Sequence, residues 1–169
     1  MSEPKKQPVV HALTNFSQGI ARNIVTPVEI TNVFTKQKVS TKGIWDTGAT
    51  NSVVTKSTAM ALGLLSVGRA RVRGAHGDKE VNVYYVNITL NNKNITLNTQ
   101  VTECDELSPD KSVGMLIGMN IITMGDFAVT NYQSQTTMTF RVPSLQKIDF
   151  VSGMKTPDKI KIKNSNNNF

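Results

Sequence analysis

Residues 68–90 read G-R-A-R-V-R-G-A-H-G-D-K-E-V-N-V-Y-Y-V-N-I-T-L, two alternating runs on either side of a glycine-bounded turn. A period of two marks a strand with one face buried, and two such runs around a Gly-rich turn make a β-hairpin. The same signal recurs along the chain. Residues 28–34 alternate Val, Ile and Val with polar residues and read as a first core strand, and 41–46 reads as the next. Further strands are expected over 95–102, 113–117, 126–131 and 136–142, with turns at 36–38 and 91–94. Helical stretches are short: 56–62, with Thr55 as N-cap and Gly63 as stop, and a turn or two ending at Met124 before Gly125. A strand-rich chain with one or two short helices implies an all-β, closed or near-closed barrel.

Residues 44–50 read I-W-D-T-G-A-T. An apolar, strand-like lead-in runs straight into an acid, a hydroxyl residue, a glycine and a small residue. On a period of two, Ile44 and Asp46 share one face while Trp45 takes the other. Trp45 is therefore expected in the core, and Ile44 as a wall of any cleft beside the acid. Thr47 can lock the turn through its hydroxyl, and Gly48 lets backbone N–H groups approach the carboxylate without a Cβ in the way. An Asp that opens a turn can also serve only to cap local N–H groups. The apolar strand before it and the glycine after it favour a carboxylate held for chemistry. Farther on, residues 115–120 read M-L-I-G-M-N, an apolar pair, a glycine, and the start of a short helix.

These two separated motifs, in this order, resemble the retropepsin-like (retroviral-type) aspartic proteases over about residues 27–141. The resemblance implies a closed β-barrel that forms half of a two-fold symmetric enzyme. It makes Asp46 the catalytic acid, with Thr47, Gly48 and Ala49 supporting the active-site loop. Leu116, Ile117, Gly118 and Asn120 would form the segment that crosses behind that loop. The hairpin after the loop becomes the flap over bound peptide, with Gly74, Ala75, His76 and Gly77 at its tip and Ile44 lining the substrate cleft. No cofactor and no metal are implied. Two departures stand out: Met119 follows Gly118 where retroviral enzymes often carry Arg, and Ala75 and His76 replace the more usual Gly and Ile of viral flaps.

Peptide hydrolysis of this type needs two carboxylates sharing a proton, one to activate water and one to polarise the scissile carbonyl. The sequence holds no second D-T-G or D-S-G. Asp126, followed by Phe127 and Ala128, reads instead as a helix exit. The missing acid is expected from a second copy, since a two-fold axis places identical residues face to face.

Bulk properties narrow the alternatives. The chain of 169 residues has 38% hydrophobic content, which suits one domain. Residues 1–26 are expected as a lead-in, 27–141 as the domain, and 142–169 as a basic, Asn- and Lys-rich tail, partly disordered. The net charge is +7, but its excess lies mainly in the ends. Lys5, Lys6 and Arg22 face only Glu3 before residue 27, and five lysines face Asp149 and Asp158 after residue 141. That distribution does not favour nucleic-acid binding as the main role. The start, M-S-E-P-K-K-Q-P, lacks the apolar stretch of a secretory signal, Cys104 is the one cysteine, and no apolar run reaches membrane length, so a cytoplasmic protein without a membrane partner is expected. Acidic neighbours disfavour a Cys104 thiolate. The leading expectation is a cytoplasmic homodimeric aspartic endopeptidase acting on polypeptides. A catalytically weak retropepsin-fold module for dimerisation or peptide binding remains the alternative.

Overall fold

The computed structural model describes residues 9–74 and 77–152, so expectations on Ala75, His76 and the outermost terminal residues lie outside it. The strands are β1 (His11–Phe16), β2 (Ile24–Asn32), β3 (Lys38–Trp45), β4 (Val53–Thr55), β5 (Gly68–Gly74), β6 (Gly77–Leu90), β7 (Thr96–Cys104), β8 (Val113–Ile117), β9 (Asp126–Thr130) and β10 (Thr137–Val142). Two short helices, α1 (Lys56–Ala61) and α2 (Met119–Ile122), follow β4 and β8.

One sheet runs β2-β3-β8-β4-β7-β6-β5, and β2 also pairs with β6. Six strands thus close into a barrel, with β5 appended beyond β6. Closure removes the unpaired edges that an open sheet of this width would expose. Ile30, Val54, Val86, Ile88, Met115 and Ile117 fill its interior and are fully buried. The all-β barrel with two short helices is the fold the periodicity implies.

The first barrel strand differs in extent from the sequence reading. It begins at Ile24 rather than at residue 28, and Thr26, Val28, Ile30 and Asn32 face inward. Pro27 hides this start in the sequence, because proline cannot donate to a ladder on both sides. Here β6 joins β2 only from Val28 onward, so Pro27 needs no second partner. The strand stops at Asn32 rather than Phe34. The buried Asn32 side chain accepts the Phe34 and Thr35 N–H groups and donates to the Leu62 and Gly63 carbonyls. An Asx turn thereby ends the strand and ties it to the end of α1. The expected cap of α1 is present: Thr55 Oγ1 accepts the Thr58 N–H at 3.2 Å.

A second, three-stranded sheet, β1-β10-β9, covers one side of the barrel. Its contact is aromatic. Trp45 stacks on Phe127 of β9 with ring centroids 5.3 Å apart and tilts against Phe140 of β10 at 5.1 Å. The Trp45 indole N–H donates to Thr26 Oγ1 at 2.9 Å, so its one polar atom is satisfied in the core.

Asp126 does not act as a helix exit. It opens β9, and its carboxylate accepts from Arg141 Nε at 2.6 Å, Ser144 Oγ at 2.5 Å and the Leu145 N–H at 3.1 Å. The Ser144 hydroxyl, the Leu145 N–H and the Arg141 guanidinium hold its acidity at about 2, below the ordinary carboxylate value. A carboxyl with a depressed folded value adds stability that is complete above the unfolded range near 3.9 and disappears as pH falls toward 2. Asp126→Asn should therefore lower the thermal midpoint at pH 6 but bring little difference at pH 2, measured by circular dichroism melts across that range. An equal loss at both pH values would show that the ionised form adds nothing.

Candidate active site

Asp46 directly follows the last residue of β3. Strand β3 runs parallel to β8, with Ile44 opposite Leu116 and Trp45 opposite Ile117. The ladder continues one step further, because the Asp46 N–H donates to the Ile117 carbonyl at 2.9 Å. The acid is thus anchored at a strand end. The chain then turns: the Ala49 N–H reaches the Asp46 carbonyl at 3.3 Å, and the Gly48 N–H donates to Asp46 Oδ1 at 2.8 Å.

The segment after β8 locks this turn from behind. The Met119 N–H donates to the Ala49 carbonyl at 2.8 Å and the Asn120 N–H to the Thr50 carbonyl at 3.1 Å. Asn120 Oδ1 accepts both the Ser52 N–H and the Ser52 hydroxyl at 2.8 Å, while Ser52 Oγ accepts the Gly118 N–H at 3.0 Å. The two backbones pass so closely that a Cβ on Gly118 would lie 2.7 Å from the Asn51 carbonyl and 2.9 Å from the Ala49 oxygen. Only glycine fits a backbone crossing of that kind.

Ile44, Asp46, Gly48, Ala49, Leu116, Ile117, Gly118 and Asn120 therefore belong to one hydrogen-bonded unit. Thr47 sits at its turn without a side-chain hydrogen bond among the described residues, so the expected hydroxyl lock is not formed within the chain. Asp46 and Ala49 are half-buried, and Thr47 and Gly48 are exposed. Ile44 and its partner Leu116 are half-buried as well, whereas Trp45 and Ile117 are buried, as the alternation implies. Two surface hollows of about 530 and 480 Å³ lie elsewhere, on the outer face of the barrel around Glu29, Lys38 and Thr89.

Gly74 and Gly77 belong to a separate unit, facing each other at the end of the β5–β6 hairpin. Strand β6 meets β7 only from Val83 onward, so residues 77–82 pair with β5 alone and the hairpin extends past the barrel sheet. Gly77 has φ +100°, a conformation that side-chain-bearing residues rarely adopt.

Ser52 is the residue that sequence reasoning missed. In the sequence it opens a short β-branched run, 52–55, and nothing local marks it as a bonding residue. Yet it is fully buried, and a buried hydroxyl needs partners. Cys104 is unsuited as a nucleophile: burial, followed by the nearby Asp105, Glu106 and Glu103 carboxylates, pushes its thiol up to about 12.

Asn120→Ala leaves the Ser52 N–H and hydroxyl without their acceptor and should cost about 1–3 kcal/mol in urea denaturation. Asn120→Asp keeps an acceptor oxygen and should lose less. Equal losses for the two variants would mean that the side chain matters for packing rather than for the Ser52 bonds.

Comparison with known proteins agrees with this architecture. Residues 27–121, more than half of the chain, match the aspartyl protease family. The fold is similar to that of a retropepsin-like aspartic protease from Rickettsia conorii, with TM-score 0.52 and 13% identity, over 81% of this chain and 98% of that one. The EIAV protease, solved with the inhibitor HBY-793, aligns at TM-score 0.44 and 19% identity over 63% of this chain and 90% of that one. The simian foamy virus protease aligns at TM-score 0.41 and 17% identity, over 59% and 91%. No curated protein sequence matches the chain. By its family match and its barrel, the chain belongs to the aspartyl protease family and has a retropepsin-like fold.

Proposed function

We propose that the protein is an aspartic endopeptidase that works as a homodimer, with one Asp46 from each copy forming the catalytic pair. One observation carries this reading. The chain has a single D-T-G loop, pinned by the crossing segment, and its acid stands at a strand end with Oδ1 already held by the Gly48 N–H. A carboxylate fixed in this way is preorganised, yet one carboxylate cannot be both base and acid in the same step.

A second copy supplies what is lacking. Two Asp46 carboxyls beside a two-fold axis cannot both ionise at close range, so they share one proton. The ionised member takes a proton from water, which attacks the peptide carbonyl carbon. The protonated member donates a hydrogen bond to the carbonyl oxygen, and proton return to the nitrogen releases the amine. The exposed Thr47 and Gly48 are available for contact across the axis. The extended β5–β6 hairpin supports a flap role, covering a substrate bound as an extended strand between it and the Ile44–Leu116 floor.

Asp46→Asn removes the base and the acid together, because both copies carry the change. A peptide-library digest should show cleavage by wild type and a loss of at least about a hundredfold in the mutant, with an unchanged circular dichroism spectrum. Near wild-type cleavage by the folded mutant would remove this assignment.

A further inference from the structure

The acidic residues at the end of β7 and just beyond it join three parts of the molecule. Glu103 Oε2 accepts from Tyr84 Oη at 2.5 Å and from Asn82 Nδ2 at 3.2 Å, where the β5–β6 hairpin leaves the barrel. Asp105 accepts from Lys56 Nζ at 2.8 Å through one oxygen and from Lys79 Nζ at 3.1 Å through the other. Glu106 accepts the Ser57 N–H at 3.2 Å and the Ser57 hydroxyl at 2.9 Å in the first turn of α1. Thus Glu103 holds the root of the hairpin, Glu106 holds α1, and Asp105 links α1 to the hairpin arm.

The two faces of the arm differ. Asp78 and Glu80 pair within the arm with Arg69, Arg71 and Arg73, at 3.1–3.3 Å. Lys79 and Val81 occupy the opposite face, where Val81 is buried. Among the described residues, Lys79–Asp105 is the ion pair that connects the arm to the body of the domain.

We infer that Asp105 is a positioning residue: through Lys79 and Lys56 it braces the β5–β6 arm against α1 and sets the arm's closed position. With the proposed function, this role takes the hairpin as the cover of the cleft. The pairs are more than half exposed on the Asp105 side, so the brace is weak and salt-sensitive. A weak tie suits a cover that must open on every turnover.

The test uses the whole chain in the Asp46→Asn background, which excludes proteolysis by the proposed site. Amide relaxation dispersion, which reports microsecond-to-millisecond exchange, is measured for residues 68–74 and 77–82. Asp105→Asn should raise the open population of the arm about two- to fivefold, the range that exposed ion pairs command. Lys79→Met should match it, the double variant should add little further, and Asp105→Glu should restore wild-type behaviour. Salt at ~0.5 M should loosen the wild type and leave Asp105→Asn nearly unchanged. Arm amides that do not respond to Asp105→Asn, or a change shared equally by barrel amides such as those of Ile30 and Val86, would overturn the brace. In protein with Asp46 intact, Asp105→Asn should raise peptide KM about two- to fivefold with little change in kcat. If protein with both Asp46 and Asp105 intact cleaves no peptide, the proposed function fails, and the dispersion result still decides the brace.

Discussion

The crossing of residues 117–120 behind the Asp46 loop is the constraint on which the rest of the site depends. Two main-chain bonds, from Met119 to Ala49 and from Asn120 to Thr50, fix one strand exit against another. The Ser52–Asn120–Gly118 bonds then fill the buried space between them. A carboxylate on an isolated turn would sample many positions. Here its peptide N–H, its own Oδ1 and the turn that follows are all committed, so the cost of orienting it is met in folding. The barrel serves this crossing, since β8 reaches it only by lying between β3 and β4.

The aromatic contact on the other side of β3 has a matching role. Asp46 and Trp45 are adjacent, so whatever anchors the indole also limits motion of the acid. Phe127 and Phe140 press on Trp45 from the second sheet, while Thr26 takes its N–H from within the barrel. The small sheet is thereby coupled to the strand that delivers the acid. Asp126 ties the start of β9 to β10 and the turn beyond it, through the bonds its carboxylate accepts from Arg141, Ser144 and Leu145.

Local chemistry was legible in the sequence and distant pairing was not. The I-W-D-T-G-A-T stretch announces its strand, its turn and the opposite faces of Ile44 and Trp45, because those features depend on neighbouring residues alone. The Thr55 cap, the hairpin and the β8 strand were readable for the same reason. Ser52 was not, because its partner Asn120 is 68 positions away. The early start of β2 was obscured by Pro27, whose tolerance depends on where β6 stops pairing. Asp126 was misread since its partners come from β10 and the turn beyond. The pairing of β1 with β10 sets His11 against Val142, far apart in the chain, and no local pattern in His11–Phe16 names that partner. Glu103, Asp105 and Glu106 likewise have no partner in the local sequence until α1 and the hairpin are placed on either side of them.

The central claim is that each chain carries half of a catalytic pair. Sedimentation analysis run in parallel with peptide cleavage over a dilution series tests it most directly. Activity per chain should fall in step with the fraction of dimer, and reach zero where only monomer remains. Full-rate cleavage by a species that sediments as a monomer would contradict the account.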